Sequence, residues 1–306
     1  MKKLSFLKPA RFFIVHICVK DDIKYKANLI IEDIALIEEI QMSNRQLKQL
    51  NSSTRALSTL VIALIVIVIV GSVVAVVVAA VLLDFWYPYG RVVGSGELVT
   101  EEKDFTDFTI VEVGWGFEVE ISQSDSYSIN ITADDNMLDY IEVSGSGNKL
   151  TIGLKWGHGY QNVNLRAEIT MPDLYELQFS GGTHGTIEGF STSNEFVLEL
   201  SGGSSLIGSY TTSGDAQFTL SGGSRLIELD GAADNLRISA SGGSQLELSN
   251  FPVHNSSVNL SGGSRATINL DGRLDADLSG GSHVLYVGDP TMGDINTSGG
   301  STVSKK

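Results

Sequence analysis

The chain has 306 residues, 36 acidic against 21 basic, with a formal net charge of −15 and one cysteine, Cys18. A lone cysteine excludes an intrachain disulfide and any cysteine-built metal site. The acidity argues against nucleic acid as a partner, since phosphate backbones would be repelled. The charge is also unevenly placed: residues 1–83 hold 10 Lys/Arg and 6 Asp/Glu, whereas residues 84–306 hold 11 and 30.

Residues 1–56 mix apolar patches (12–19, 29–40) with charges, and part of them reads as amphipathic helix. Met42 opens an alternative in which translation starts there and residues 1–41 are not made. From Leu57 to Leu83 the chain carries no charge. Twenty-seven residues at about 1.5 Å each reach roughly 40 Å, more than a hydrocarbon core of about 30 Å. Val and Ile dominate the run, yet in lipid a backbone must satisfy its own hydrogen bonds, so one transmembrane helix is expected over 57–83.

Asp84 stops the run, and Phe85, Trp86, Tyr87 and Tyr89 follow as an interfacial aromatic belt. Arg45, Lys48 and Arg55 precede it without an acid among them. The positive-inside rule therefore places residues 1–56 in the cytoplasm and the acidic remainder outside the cell. Arg55, Trp86 and Tyr87 are the expected membrane-interface residues, lipid is an expected partner, and 84–93 reads as a linker. Arg55-Ala56-Leu57-Ser58-Thr59-Leu60 also resembles the processing site of archaeal pilin-like precursors. That resemblance implies an alternative, a filament subunit cleaved near Ala56.

Between 92 and 172 short alternating segments are separated by turn residues, and strands are expected at 108–113, 117–122, 128–132, 141–144, 149–154 and 165–170. Ser-Gly-Gly then recurs at Ser180, Ser201, Ser221, Ser241, Ser261, Ser279 and Ser298, at intervals of 18 to 21 residues. The residues one and three places before each Ser are apolar in thirteen of fourteen cases, with a polar residue usually between them. That is a strand with one face buried. Five places after each Ser stand Gly185, Leu206, Leu226, Leu246, Ala266, Val284 and Val303, all small or apolar.

Each unit thus reads as strand, Gly-Gly corner, strand and polar return. The corners are Gly181-Gly182, Gly202-Gly203, Gly222-Gly223, Gly242-Gly243, Gly262-Gly263, Gly280-Gly281 and Gly299-Gly300. Twenty residues cannot enclose a core, but stacked coils can, so an all-β solenoid of about 20-residue coils is expected over 94–304.

The order of blocks Gly94-Ser95-Gly96, Phe108-Thr109-Ile110-Val111-Glu112-Val113, Phe117-Glu118-Val119-Glu120-Ile121-Ser122-Gln123, Ala133-Asp134-Asp135-Asn136, Leu150-Thr151-Ile152 and Met171-Pro172-Asp173-Leu174, followed by serial Ser-Gly-Gly, resembles the head GIN domain of the auto-transporter adhesin family. The resemblance covers about residues 92–303. It implies a right-handed β-helix and a cell-envelope location. The N-terminal apolar run departs from it, being closer to a tether than to an outer-membrane barrel.

Chemistry is sparse. The Ser-Gly-Gly corners lead into no helix, so they are neither phosphate cradles nor nucleophile elbows. His184 and His283 share an outward position with Ser205, Arg225, Gln245 and Arg265, and lie five coils apart, about 24 Å. Asp271, Asp275 and Asp277 are weak calcium candidates without the nonapeptide of calcium-binding β-rolls. No catalytic residue and no cofactor is expected. The expected role is a membrane-tethered, surface-displayed structural or adhesion module that contacts envelope or surface components, protein or glycan. The alternatives are the filament subunit and an envelope sensor that signals through residues 1–55.

Overall fold

The computed structural model describes residues 90–306. The expectations placed on residues 1–89 lie outside them: the span 57–83, Arg55, Trp86, Tyr87, the start at Met42 and the cleavage near Ala56. Among the described residues no helix is long and apolar enough to cross a membrane.

The described chain is almost all β. Nine strands precede the repeats: β1 (Arg91–Val93), β2 (Leu98–Lys103), β3 (Ile110–Val113), β4 (Glu118–Gln123), β5 (Ser128–Asp134), β6 (Ile141–Ser146), β7 (Lys149–Leu154), β8 (Gly159–Gln161) and β9 (Leu165–Met171). Six of these nine were anticipated from alternation; the three short or exposed ones, β1, β2 and β8, were not. A six-residue 3-10 turn, Asp135–Tyr140, joins β5 to β6.

Each Ser-Gly-Gly then sits between two strands, giving seven pairs: β10 (Glu176–Phe179) and β11 (His184–Thr192), β12 (Phe196–Leu200) and β13 (Ser205–Thr212), β14 (Ala216–Leu220) and β15 (Arg225–Ala232), β16 (Asn235–Ala240) and β17 (Gln245–Val253), β18 (Asn255–Leu260) and β19 (Arg265–Leu270), β20 (Arg273–Leu278) and β21 (His283–Val287), β22 (Thr291–Thr297) and β23 (Thr302–Lys305). The first member of every pair joins one ladder and the second joins another, all in parallel. This is the β-solenoid that the repeat implied.

Alternation does the sorting. Leu198 and Leu200, Phe218 and Leu220, Ile238 and Ala240, and Val258 and Leu260 point inward and are buried, while the residues between them face out. An aromatic stack fills the middle: Phe196 lies on Tyr210 with ring centroids 3.8 Å apart, and Phe218 meets both Phe196 and Phe251 at 5.9 Å. Tyr210 is fully buried and donates its hydroxyl to the Leu174 carbonyl. Burial, with the Asp173 charge adding, pushes the Tyr210 phenol up. Gly185, the smallest residue of its inward series, lies under the Phe179 ring; a Cβ there would stand 2.1 Å from the ring carbon Cε2.

Sequence order and stacking order part company at the N-terminal end. The ladders run β6-β7-β3-β10-β12 and β2-β5-β9-β4-β11-β13. The coil β7/β9 therefore lies outside β3/β4, and the chain must pass over β3/β4 to reach β10. Residues 172–175 make that crossing, anchored by the buried Leu174 and by Tyr175 N–H donating to Thr109 O at 2.8 Å. Beyond β7/β9, strands β5, β2 and β6 close the stack in antiparallel pairing.

Candidate functional site

The corner ridge is built from the tetrapeptide Ser-Gly-Gly-Ser/Thr. At Ser221 to Ser224 the two glycines hold φ of +64° and +77°, and the Ser221 carbonyl accepts the Ser224 N–H at 3.3 Å. That is the two-positive-φ turn which glycine alone enters without strain. The fourth residue was not singled out in the sequence, although Ser or Thr stands there at every repeat. Thr183, Ser204, Ser224, Ser244, Ser264, Ser282 and Ser301 are all buried, and each donates its hydroxyl to the carbonyl three residues back. In this way the chain itself supplies the inward hydrogen bond of each of these seven corners.

The first glycines stack on one another. A Cβ at Gly222 would lie 3.1 Å from the Gly202 nitrogen, whereas one at Gly243 would meet nothing. The ridge is consequently bare of side chains and is flanked by two outward rows. On one side register aligns His184, Ser205, Arg225, Gln245, Arg265, His283 and Thr302. On the other it aligns Gln178, Glu199, Thr219, Ser239, Asn259, Asp277 and Asn296. Arg225 and Arg265 form no ion pair among the described residues, so one row presents free guanidinium groups and the other carboxylates and amides. His184 and His283 lie in one row, five register steps apart, and bond to Ser205 and Thr302 in the next coil.

At the return turns a second ladder runs along the stack. Asn255 donates to Asn235 and Asn235 to Asp215, each at 2.8 Å, and Arg273 N–H closes on Asn255 at 2.8 Å. Their spacing of 18 to 20 residues was legible in the sequence. A shallow polar groove of about 270 Å³ opens beside it, lined in part by Arg237, Ser257, Arg273 and Asp275.

The three calcium candidates are not brought together. Asp271 faces His254 at 3.1 Å. Asp275 is held by Arg273 Nε at 2.9 Å and Nη2 at 2.7 Å, and that guanidinium keeps its carboxyl below the usual range, with the Asp294 N–H adding. Asp277 faces out on the ridge row between Asn259 and Asn296. Among the described residues no three His, Cys, Asp or Glu side chains converge as a metal site would need.

Two features of the N-terminal end escaped the sequence reading. The corner between β3 and β4 is Gly114-Trp115-Gly116, and Trp115 holds φ 69° in the slot that is glycine in the seven later corners. An L-residue in that conformation costs about 1–2 kcal/mol. The signal was a Gly-x-Gly after a strand, masked because x is not glycine. The second is Asp134, fully buried, which receives N–H groups from Asn164 at 2.6 Å and Gly96 at 2.7 Å. The Asn164 N–H holds its carboxyl below the usual range against the opposing push of burial, with Gly96 adding. This carboxylate pins Gly94-Ser95-Gly96 onto the cap.

The parallel ladders, bare corners and lengthwise polar rows define a repeat β-solenoid. Residues 107–290 match the family described as "Putative auto-transporter adhesin, head GIN domain", and the chain belongs to that family. Among solved structures it is similar to a putative adhesin from Bacteroides fragilis, with TM-score 0.64 and 20% identity over 70% of this chain and 100% of that one. A putative adhesin from Parabacteroides merdae gives TM-score 0.54 and 20% identity, covering 71% and 99%. A protein from Parabacteroides distasonis described as a putative lipid binding protein gives 0.54 and 17%, again covering 71% and 99%. At these identities the likeness concerns the fold. No curated protein matches the chain.

Proposed function

We propose that the protein is a membrane-anchored, surface-displayed adhesion or interaction module of the cell envelope, without enzymatic activity. In this reading residues 1–56 are cytoplasmic, 57–83 span the membrane, 84–93 link, and 94–304 form the displayed head. The observation that carries it is the pair of outward polar rows, repeated coil after coil at about 4.8 Å. A rigid ladder of that kind engages an extended protein or glycan through many weak contacts whose contributions add. Family membership and the adhesin-like neighbours support the same reading.

The test is a strain that makes only residues 1–91, compared with the full chain. Attachment to cells or surfaces should drop several-fold on truncation, and unchanged attachment would refute the role. Protease applied to whole cells should remove the head. A head that survives shaving on intact cells but not on lysed ones would refute the topology.

A further inference from the structure

The large apolar side chains exposed on the described chain are unevenly placed. Five of eight, Val93, Leu98, Val99, Trp115 and Trp156, belong to the end where the chain enters the stack. Trp156 is 69% exposed and Trp115 44%. The strained backbone of Trp115 is held by its neighbours: its ring meets Tyr160 edge-on at 6.2 Å and packs over Gly153, where a Cβ would stand 3.3 Å from Cδ1.

Tyr160 in turn lies 6.0 Å from Tyr140 and pairs in register with Val92 of β1. Lys155 ties the loop down, its N–H donating to Tyr140 O at 2.8 Å and its carbonyl accepting the Tyr160 hydroxyl at 2.7 Å. Trp156 is the next residue, carried exposed on this anchored loop, which leads into β8, the partner of the first described strand. Strain kept at an exposed aromatic is a pointer to use. Nearby charges are of both signs, with Arg91, Lys103 and Lys155 against Glu97, Glu101, Glu102, Asp139 and Glu142.

The tether limits where these rings can be. Seven residue steps separate Leu83, the end of the apolar run, from Gly90, and they extend to about 25 Å at most. The longer ladder has eleven strands, about 48 Å from first to last. We infer that the ledge of Trp115, Trp156, Tyr140 and Tyr160 seats in the zwitterionic headgroup layer of the membrane that holds the anchor. Trp and Tyr prefer that layer because their rings are apolar with one polar end. The inference rests on the proposal that residues 57–83 span the bilayer.

The test uses the full chain carrying Trp86→Phe, which leaves Trp115 and Trp156 as its tryptophans, in phosphatidylcholine vesicles with or without bromine on the upper acyl chains. Bromolipid is expected to quench the emission, as for rings at the interface. Adding Trp115→Gly, which installs the residue of the other corners, should leave Trp156 quenched. Emission that ignores bromolipid but is quenched by aqueous iodide overturns the inference. So does protection of these rings by soluble glycan in place of lipid, which would make the ledge a sugar platform. Flotation separates the two readings: protein that floats with vesicles yet shows unquenched rings keeps the anchor and loses the ledge, and protein that fails to float loses both.

Discussion

From Ser201 onward the strands of every coil pair only with those of the coils next to it in sequence, whereas the coils before it are interleaved. Strand β3 lies between β7 and β10, and β4 between β9 and β11. The later region is quasi-one-dimensional, so its stability is a sum of like interfaces. The earlier region closes by contacts between residues about 40 to 70 apart in sequence, as in Ser180 N–H to Val113 O, and it carries the antiparallel strands that blunt the stack's end. What the contrast teaches is a division of labour: repeats supply length, and the interleaved cap supplies an end.

The largest effect should come from the aromatic stack. Phe196→Ala is expected to lose about 3–5 kcal/mol, read as a fall in denaturant midpoint. If the repeats are truly nearest-neighbour, hydrogen exchange should quicken first in β10 to β15 and leave β2 and β5 protected. Uniform loss across both regions would break the comparison.

Asp134→Ala should act the other way round. It takes the charged acceptor away from the Gly96 and Asn164 N–H groups, at a cost of about 1.5–3 kcal/mol, and exchange should quicken at β2 and β5 alone. The pH dependence has a definite sign. The folded carboxyl titrates below its unfolded value, so its contribution is complete above about pH 4. That contribution is lost as pH falls through the folded pKa, and the cap should open in acid before the repeats do.

Corner substitutions are smaller. Gly243→Ala should cost about 1–2 kcal/mol, from positive φ alone, and Gly222→Ala more, because the stacked Gly202 opposes it as well. Equal costs would mean that the stacking contact contributes nothing. Smallest is Ser244→Ala, which removes one hydroxyl donor from the Ser241 carbonyl, expected at about 0.5–1 kcal/mol by thermal melting.

The sequence by itself determined the repeat, its period, the inward positions such as Leu198, Phe218 and Leu260, and the family resemblance. It could do so because every unit meets the same surroundings, and seven repetitions of one pattern make the local rule visible. Only the tertiary structure decided that β3/β4 would be trapped between later strands, that Trp115 would take a glycine's place, and that Asp134 would become the clasp of the cap. Those outcomes depend on which distant segments meet. Such pairings are decided by shape and by unpaired backbone groups at a stack's end, and neither leaves a period in the chain.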